Sequence, residues 1–100
     1  MIQIVVLVYA GPGGVDAMKL HHAKVMPLVF RHGGQLLSTS CPSAQQPGDP
    51  DTVHILQFPD MQAFEDYCKD PEFAQHEESR ANAIADARLY ITNEFIAYLD

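Results

Sequence analysis

The chain has 100 residues, of which 47% are hydrophobic and 19% are charged, a length and balance that fit one domain, residues 1–100, around one core. Six basic residues stand against thirteen acidic ones, so that the formal net charge is −7. A negative surface repels nucleic-acid phosphates and anionic lipids, which argues against partners of either class.

The chain opens with a predicted strand. Residues 2–9 are apolar on both pleat faces except at Gln3, a pattern typical of a central strand that is covered on both sides. Residues 11–14, Gly-Pro-Gly-Gly, then break the strand. They precede a helix, as a phosphate-binding loop does, but they lack its sequence frame and its lysine. A simple turn is predicted.

A long helix follows this turn. Asp16 suits a position near its N-cap, and the helix is predicted to run to about His32. Glycines at positions 33 and 34 favour a left-handed stop there. Pro27 lies inside the helix, removes one backbone hydrogen bond and is expected to bend it.

Two strands joined by a polar connection come next. Residues 35–41 alternate as a second strand, and residues 53–58 form a third that Pro59 ends. The connection between them, residues 42–51, carries three prolines, one glycine and two glutamines. We expect a mobile loop there.

A helical region and a last strand complete the chain. Asp60 is expected to cap a short helix, and Asp70 followed by Pro71 marks a second helical start. That second segment is predicted to run to about Ala85. Residues 88–99 then alternate as a long fourth strand.

The predicted order β-α-β-β-α-β is that of a ferredoxin-like α+β fold, a four-stranded antiparallel sheet with helices on one face. The other sheet face is then uncovered. Because apolar residues occupy both faces of the first and fourth strands, that face would expose a large apolar patch to water. Pairing of two identical sheets covers it, and a homodimer is therefore predicted.

Several stretches carry a family resemblance. Residues 27–37 look like the helix-to-strand join of small dimeric α+β barrel proteins. Residues 56–61, Leu-Gln-Phe-Pro-Asp-Met, are followed by Tyr67, by Asp-Pro-Glu-Phe at 70–73 and by Arg80. This pattern resembles a widespread bacterial branch of that superfamily whose function is unknown. There a strand ends in Phe-Pro, and a Ser-Pro-Glu-Tyr-like turn and a later arginine follow.

The chain departs from this pattern at two positions. Asp70 stands where serine is usual, and Phe73 stands where tyrosine is usual, which deletes a hydroxyl. The resemblance implies the dimeric α+β barrel fold, and the wider superfamily includes cofactor-free monooxygenases, lactone isomerases, dehydratases and ligand-binding stress proteins. Fold alone does not choose among these functions. Because Tyr67 is part of the sequence pattern that resembles this family, it is a candidate ligand-binding residue.

His76 and Arg80 are four residues apart, so on one helix they share a face. If that face looks inward, together with Phe73 and Ile84, an imidazole and a guanidinium could bind a carboxylate or enolate and exchange a proton. If the inward stripe instead runs through Glu77, His76 lies at the edge and both residues form ordinary surface ion pairs. Both readings remain open at this point.

Three further polar residues interrupt apolar strands. His54 is in step with Leu56 and Phe58 on the third strand, Tyr9 ends the first strand, and Asn93 interrupts the fourth. Each is either a hydrogen-bonded core residue or a group that faces a ligand, since buried polar groups need partners. His54 is the candidate for acid–base chemistry.

The adjacent pair His21 and His22 invites a metal interpretation. Neighbouring helical residues point about 100° apart, so the two imidazoles cannot easily bind one ion, and no third ligand is marked by spacing. No metal site is therefore predicted. One of the pair is expected to face a cavity beneath the helix, and His22 is retained as a ligand-binding candidate.

The two cysteines, Cys41 and Cys68, show no metal-binding spacing and are expected to be reduced, packed thiols. The apolar run at residues 2–8 is too short for a signal peptide with its flanks, and far short of the ~20 residues of a membrane helix. A cytoplasmic protein is therefore expected.

The leading functional hypothesis is a homodimer that holds a small organic molecule, without a cofactor, in a cavity between sheet and helices. If it is an enzyme, His54 or His76 acts as acid or base while Arg80 holds an anionic group, in an isomerisation, dehydration or oxygenation. The rival hypothesis is a non-enzymatic dimerisation module whose core is closed by its own side chains.

Overall fold

A computed structural model describes residues 1–92 of the protein. The elements are β1 (Ile2–Ala10), α1 (Gly14–Arg31), β2 (Gln35–Ser40), β3 (Thr52–Phe58), α2 (Met61–Cys68), α3 (Glu72–Gln75), α4 (Glu77–Ala83) and β4 (Ile84–Thr92). No helix within residues 1–92 combines the length and the apolar character needed to cross a membrane.

The four strands form one antiparallel sheet in the order β2-β3-β1-β4. The two βαβ units interlock, since each places a strand of the other between its own two strands. This is the predicted ferredoxin-like α+β fold, and β1 is one of its two central strands, as its apolar sequence indicated.

The core lies between the sheet and the helices. Ile4 of β1 pairs with Leu56 of β3, and both side chains point toward the helices. There they pack with Val29 of α1, Phe58 of β3 and Phe64 of α2, and each of these five side chains is at most 8% exposed. Alternation along the strands places every second residue on this side.

None of the helices in residues 1–92 lies on the opposite face of the sheet. Its central residues are apolar, with Val5 paired to Ile55 and Leu7 paired to Val53 between β1 and β3. Tyr90 of β4, whose neighbour in the sheet is Val5, is 53% exposed. This surface, referred to below as the open face, is the feature from which the homodimer was predicted.

Helix α1 ends as its glycines indicated. Gly33 has a positive φ of 78°, and its N–H donates to the carbonyl of Phe30. The N–H of Gly34 donates to the carbonyl of Val29, which satisfies a second carbonyl of the last turn. Pro27 lies within the continuous helix.

Gly34 is buried against core side chains, and a larger residue does not fit there. A Cβ atom at Gly34 would lie 2.7 Å from Cγ1 of Val29 and 2.8 Å from a ring carbon of Phe58. We therefore expect Gly34→Ala to lower the free energy of unfolding by roughly 2–3 kcal/mol, as measured by urea denaturation.

The control is Gly48→Ala, because Gly48 has a φ of 92° but open space around it. That variant adds only backbone strain, about 1–2 kcal/mol. A loss in Gly34→Ala no larger than the loss in Gly48→Ala would contradict the close packing at the end of α1.

Asp70 connects the end of α1 to the start of α3. Its carboxylate accepts the backbone N–H of Glu72 at 3.0 Å and lies 2.7 Å from Nε2 of His32 and 3.4 Å from the guanidinium of Arg31. The bond with His32, followed by the bond from Glu72, lowers the pKa of Asp70. The aspartate therefore serves as the predicted helix-start signal and adds ionic contacts that a serine could not make.

The second helical region differs from its prediction. Asp60 caps α2 by accepting the N–H of Ala63 at 2.8 Å, as predicted. The following segment, however, is divided at His76 into α3 and α4 and ends at Ala83, not at Ala85.

The fourth strand starts four residues before its predicted start at Arg88. Ile84 pairs with Ala10, and the register shifts by one residue before Tyr9 pairs with Asp86. Hydrogen bonding along the whole length of β1 therefore outweighs the helical preference of the alanines in this segment. The remainder of the predicted strand, residues 93–99, lies outside the described residues.

The expectation of packed thiols is wrong, because Cys41 and Cys68 are both exposed free cysteines. Cys41 follows β2 in the connection to β3, and Cys68 is the last residue of α2. Partial burial, with a smaller effect of Glu65, raises the pKa of the Cys68 thiol, which opposes nucleophilic chemistry.

Candidate functional site

A cavity of about 490 Å³ lies between the helix-facing side of the sheet and the helices. All four strands contribute to its floor, and all four helices contribute to its walls. Most of its lining is aliphatic or aromatic. Cavities of roughly 300–1,000 Å³ with apolar linings and a few polar groups are typical of small-molecule sites.

Two histidines meet in this cavity. His22 comes from α1 and His54 from β3, and their ring centroids are 4.4 Å apart in an edge-to-face arrangement. Thr52, two residues before His54 and therefore on the same side of the strand, places Oγ1 3.1 Å from its Nε2. We call these three residues the histidine end of the cavity.

Both imidazoles are neutral at pH 7. Desolvation by burial, then the charges of His54 and His21, lower the pKa of His22 to about 4. Desolvation also lowers the pKa of His54. A neutral imidazole has one nitrogen free to accept a hydrogen bond or a proton, so this pair can act on an acidic proton of a ligand.

His21 lies in the wall between this cavity and the outside. It is 3% exposed, and its Nδ1 is 3.3 Å from Oγ of Ser79 on α4. Burial is the largest cause of its lowered pKa, followed by the charges of His76, Arg80 and Lys24. Arg80 follows Ser79 on α4 and lines the cavity.

Aromatic rings form the other end of the cavity. Tyr67 packs against Phe73 with ring centroids 4.8 Å apart, and Phe64 lies 6.2 Å from Tyr67. All three line the cavity, and we call them the aromatic end. Burial raises the pKa of Tyr67, so that its hydroxyl stays protonated.

Four of the seven predicted site residues line the cavity: His22, His54, Tyr67 and Arg80. These residues come from three helices and one strand, and only the fold brings them together. Their predicted roles in binding or catalysis remain predictions.

The other three predicted residues lie elsewhere. His76 lines a separate outer groove between α1 and α4, together with Lys24 and Ser79. The side chain of Tyr9 donates a hydrogen bond to the carbonyl of Gly48 and stacks near Arg88. Asn93 lies outside the described residues.

Two inward-facing stripes were considered for the second helical region, one through His76 and Arg80 and one through Glu77, and neither describes the structure fully. Phe73, Arg80 and Ile84 line the cavity, as the inward stripe required, whereas His76 does not. The helical region is broken at His76, so His76 and Arg80 do not share a face as they would on one continuous helix. Among residues 1–92, no carboxylate lies within 4 Å of either side chain.

Four polar residues that line the cavity were not predicted from the sequence, namely Lys19, His21, Thr39 and Thr52. Thr52 could have been predicted, because it stands two residues before His54 on the same strand and therefore on the same face. His21 could not, since nothing in its spacing indicates that Ser79 faces it across the helix pair. No group of three or more histidine, cysteine, aspartate or glutamate side chains suited to a metal ion occurs in the part of the chain that the structure describes.

Solved structures share this fold. RPA0582 from Rhodopseudomonas palustris, a protein of unknown function, superposes with a TM-score of 0.78 at 22% identity, over 96% of this chain and 83% of its own. An uncharacterized NIPSNAP domain protein from Burkholderia xenovorans gives a TM-score of 0.72 at 9% identity, over 100% and 98% of the two chains. An antibiotic biosynthesis monooxygenase gives 0.64 at 13%, over 96% and 100%.

These likenesses establish the fold and leave the activity open. No curated protein matches the sequence. A family model does match, over residues 15–95, and its description is a domain of unknown function, DUF1330. The resemblance to a small branch of the dimeric α+β barrel proteins is therefore confirmed, and the chain belongs to the DUF1330 family.

Proposed function

We propose that the protein is a single-domain cytoplasmic homodimer that binds a small organic molecule in the cavity between sheet and helices. We further propose that it acts on this molecule by proton transfer, without a cofactor. The observation that carries the proposal is the pair of neutral histidines at one end of an otherwise apolar cavity of about 490 Å³.

The proton-transfer role belongs to His54 in this proposal. His22, with a pKa of about 4, is a weak base at neutral pH, whereas the pKa of His54 is lowered by desolvation alone. Thr52 fixes the ring of His54 through its hydrogen bond at 3.1 Å. His76, which lies in the outer groove, has no place in this mechanism.

The reaction class that fits is the removal or return of a proton next to a carbonyl group, as in an isomerisation, a dehydration or the first step of an oxygenation. A positioned neutral imidazole can accept such a proton when the carbonyl compound is activated, that is, when the developing enolate is stabilised. The surrounding apolar side chains exclude water and strengthen the interaction with charge that develops on the ligand.

The homodimer is supported by the open face. Val5, Leu7, Val53 and Ile55 form a contiguous apolar centre across β1 and β3, and Tyr90 extends it onto β4. A second copy presents the same surface, so that a two-fold pairing buries both patches. Two free cysteines are in keeping with a reducing compartment.

The competing candidate is a non-enzymatic dimerisation module. The same open face favours it, because sheet pairing needs no ligand. The dimerisation module differs from the first proposal because its cavity binds no specific molecule.

Thermal denaturation in the presence of a panel of small carboxylic acids, phenols and ketones separates the two candidates. A compound that binds the native state must raise Tm, by an amount that grows with its concentration. We expect at least one compound to raise Tm in the wild type and to lose this effect in His54→Leu. A panel with no effect on the wild type would favour the dimerisation module.

A further inference from the structure

The charged residues of this protein are distributed unevenly around the cavity. The whole chain carries thirteen acidic side chains and six basic ones. Among the described residues that line the cavity, however, there is no aspartate and no glutamate, while two of the basic residues, Lys19 and Arg80, are present. The cavity is therefore a positive site in a negative protein.

Among residues 1–92, neither of these two cations has a carboxylate within 4 Å. Within residues 1–92, the ion pairs closer than 4 Å involve Arg31, His32 and Arg88. Arg80 and Lys19 are both exposed as well as cavity-lining, which places them at its rim. A cation at the rim of a largely apolar cavity can form a charge-assisted hydrogen bond with an anionic ligand.

The cationic rim adjoins the histidine end. Ser79, which precedes Arg80 on α4, places its Oγ 3.3 Å from Nδ1 of His21, and His21 precedes His22 on α1. Arg80 and both histidines line the cavity. Besides the imidazoles, the described lining at this end contains hydrophobic side chains, the hydroxyl of Thr52 and the ammonium group of Lys19, and no carboxylate. The histidine end of the cavity therefore favours the binding of a negatively charged group.

The aromatic end sets the length of the ligand. His22 and Val29 both line the cavity from α1, and Val29 packs in the core cluster with Phe64. Seven residues of α-helix separate them, which corresponds to about 10 Å along the axis. A ligand that reaches from one end to the other therefore needs a body of similar length.

We propose that the ligand of the cavity is an apolar monocarboxylate about 10 Å long. Its carboxylate lies beside Arg80 at the histidine end, and its aryl or alkyl body reaches Phe64, Tyr67 and Phe73. This inference rests on the proposed function and names the class of molecule that the cavity takes.

Isothermal titration calorimetry with 4-phenylbutanoate and its neutral amide, 4-phenylbutanamide, tests the inference. The two probes share size and shape and differ in charge. We expect the wild type to bind the carboxylate at least about tenfold more tightly than the amide, a factor that corresponds to about 1.4 kcal/mol. In Arg80→Gln the ratio should fall below about threefold while the amide affinity is unchanged.

Lys69→Gln is the matched control, because Lys69 is exposed and lies outside the cavity lining. It removes one positive charge and should leave the ratio unchanged. A smaller ratio in this variant would mean that net charge, rather than Arg80, causes the preference, and would overturn the assignment.

The outcomes distinguish this inference from the proposed function. Equal affinities for the carboxylate and the amide would overturn the anionic class while preserving a small-molecule cavity. If Arg80→Gln keeps the wild-type ratio of carboxylate to amide affinity, the carboxylate does not lie beside Arg80, and that part of the proposal is wrong. If neither probe binds but a phenol or a ketone of the panel raises Tm, the monocarboxylate class is wrong and the proposed function stands. If no compound binds, both proposals fail.

Discussion

Replacing Ile55 by lysine is expected to convert the proposed homodimer into a monomer. Ile55 lies at the centre of the open face, paired with Val5 on β1 and with Ser38 on β2. In a symmetric sheet-to-sheet interface each copy contributes this residue, so that two ammonium groups would be buried without partners. We expect the dissociation constant to rise by roughly 100-fold or more, since an unpaired buried charge costs several kcal/mol.

Light scattering coupled to size-exclusion chromatography measures this change at micromolar concentration. Leu20→Lys serves as the control, because Leu20 is 65% exposed on the outer side of α1. It adds the same charge far from the open face and should leave the dimer intact. A wild type that is already a monomer, or an Ile55→Lys protein that remains a dimer, would contradict sheet pairing.

The second large effect concerns pH. A histidine whose pKa is lowered in the folded protein takes up its proton more readily when the chain unfolds. The folded state is therefore destabilised as pH falls from the ordinary value of 6.5 toward the folded value of about 4 for His22. From this shift we expect a loss of up to about 3 kcal/mol between pH 7 and pH 4.

Urea denaturation of wild type and His22→Leu at a series of pH values measures this loss. The variant has no imidazole at this position, so its stability should change less between pH 7 and pH 4.5. Within that window Asp70 does not interfere. Its pKa is lowered from 3.8, so the stability that it contributes is lost only at lower pH. Parallel curves for the two proteins would show that His22 is not buried in the way described.

The parts of the fold that local chemistry determines could be predicted from the sequence. The glycines at 33 and 34 end α1, and Asp60 caps α2, because each acts on backbone groups within a few residues. The apolar run of β1 indicated a central strand, because apolar residues on both faces favour the middle of a sheet over its edges.

The parts that depend on distant partners could not be predicted in the same way. The start of β4 is set by its pairing with Ala10, more than 70 residues away. The break at His76 has no glycine or proline to mark it, so the helical pattern continues through it in the sequence. Element boundaries of this kind follow from tertiary hydrogen bonds rather than from local preference.

The candidate site shows the same division. His54 and Arg80 could be selected because each interrupts or borders an apolar stripe of its own element. That His22 meets His54 follows only from the way α1 crosses the sheet, and His76 was selected because its spacing to Arg80 assumed one continuous helix. Spacing indicates which residues share an element, and the fold decides which elements meet.

The most direct test of the account is to fill the cavity. Ala87 of β4 lines it, whereas Ala85 on the same strand is exposed and does not. We expect the compound with the largest thermal shift to raise Tm in the wild type and in Ala85→Phe, but not in Ala87→Phe, where the added ring occupies the space of the ligand. If the compound stabilises Ala87→Phe as much as the wild type, it binds elsewhere, and the cavity is not the functional site.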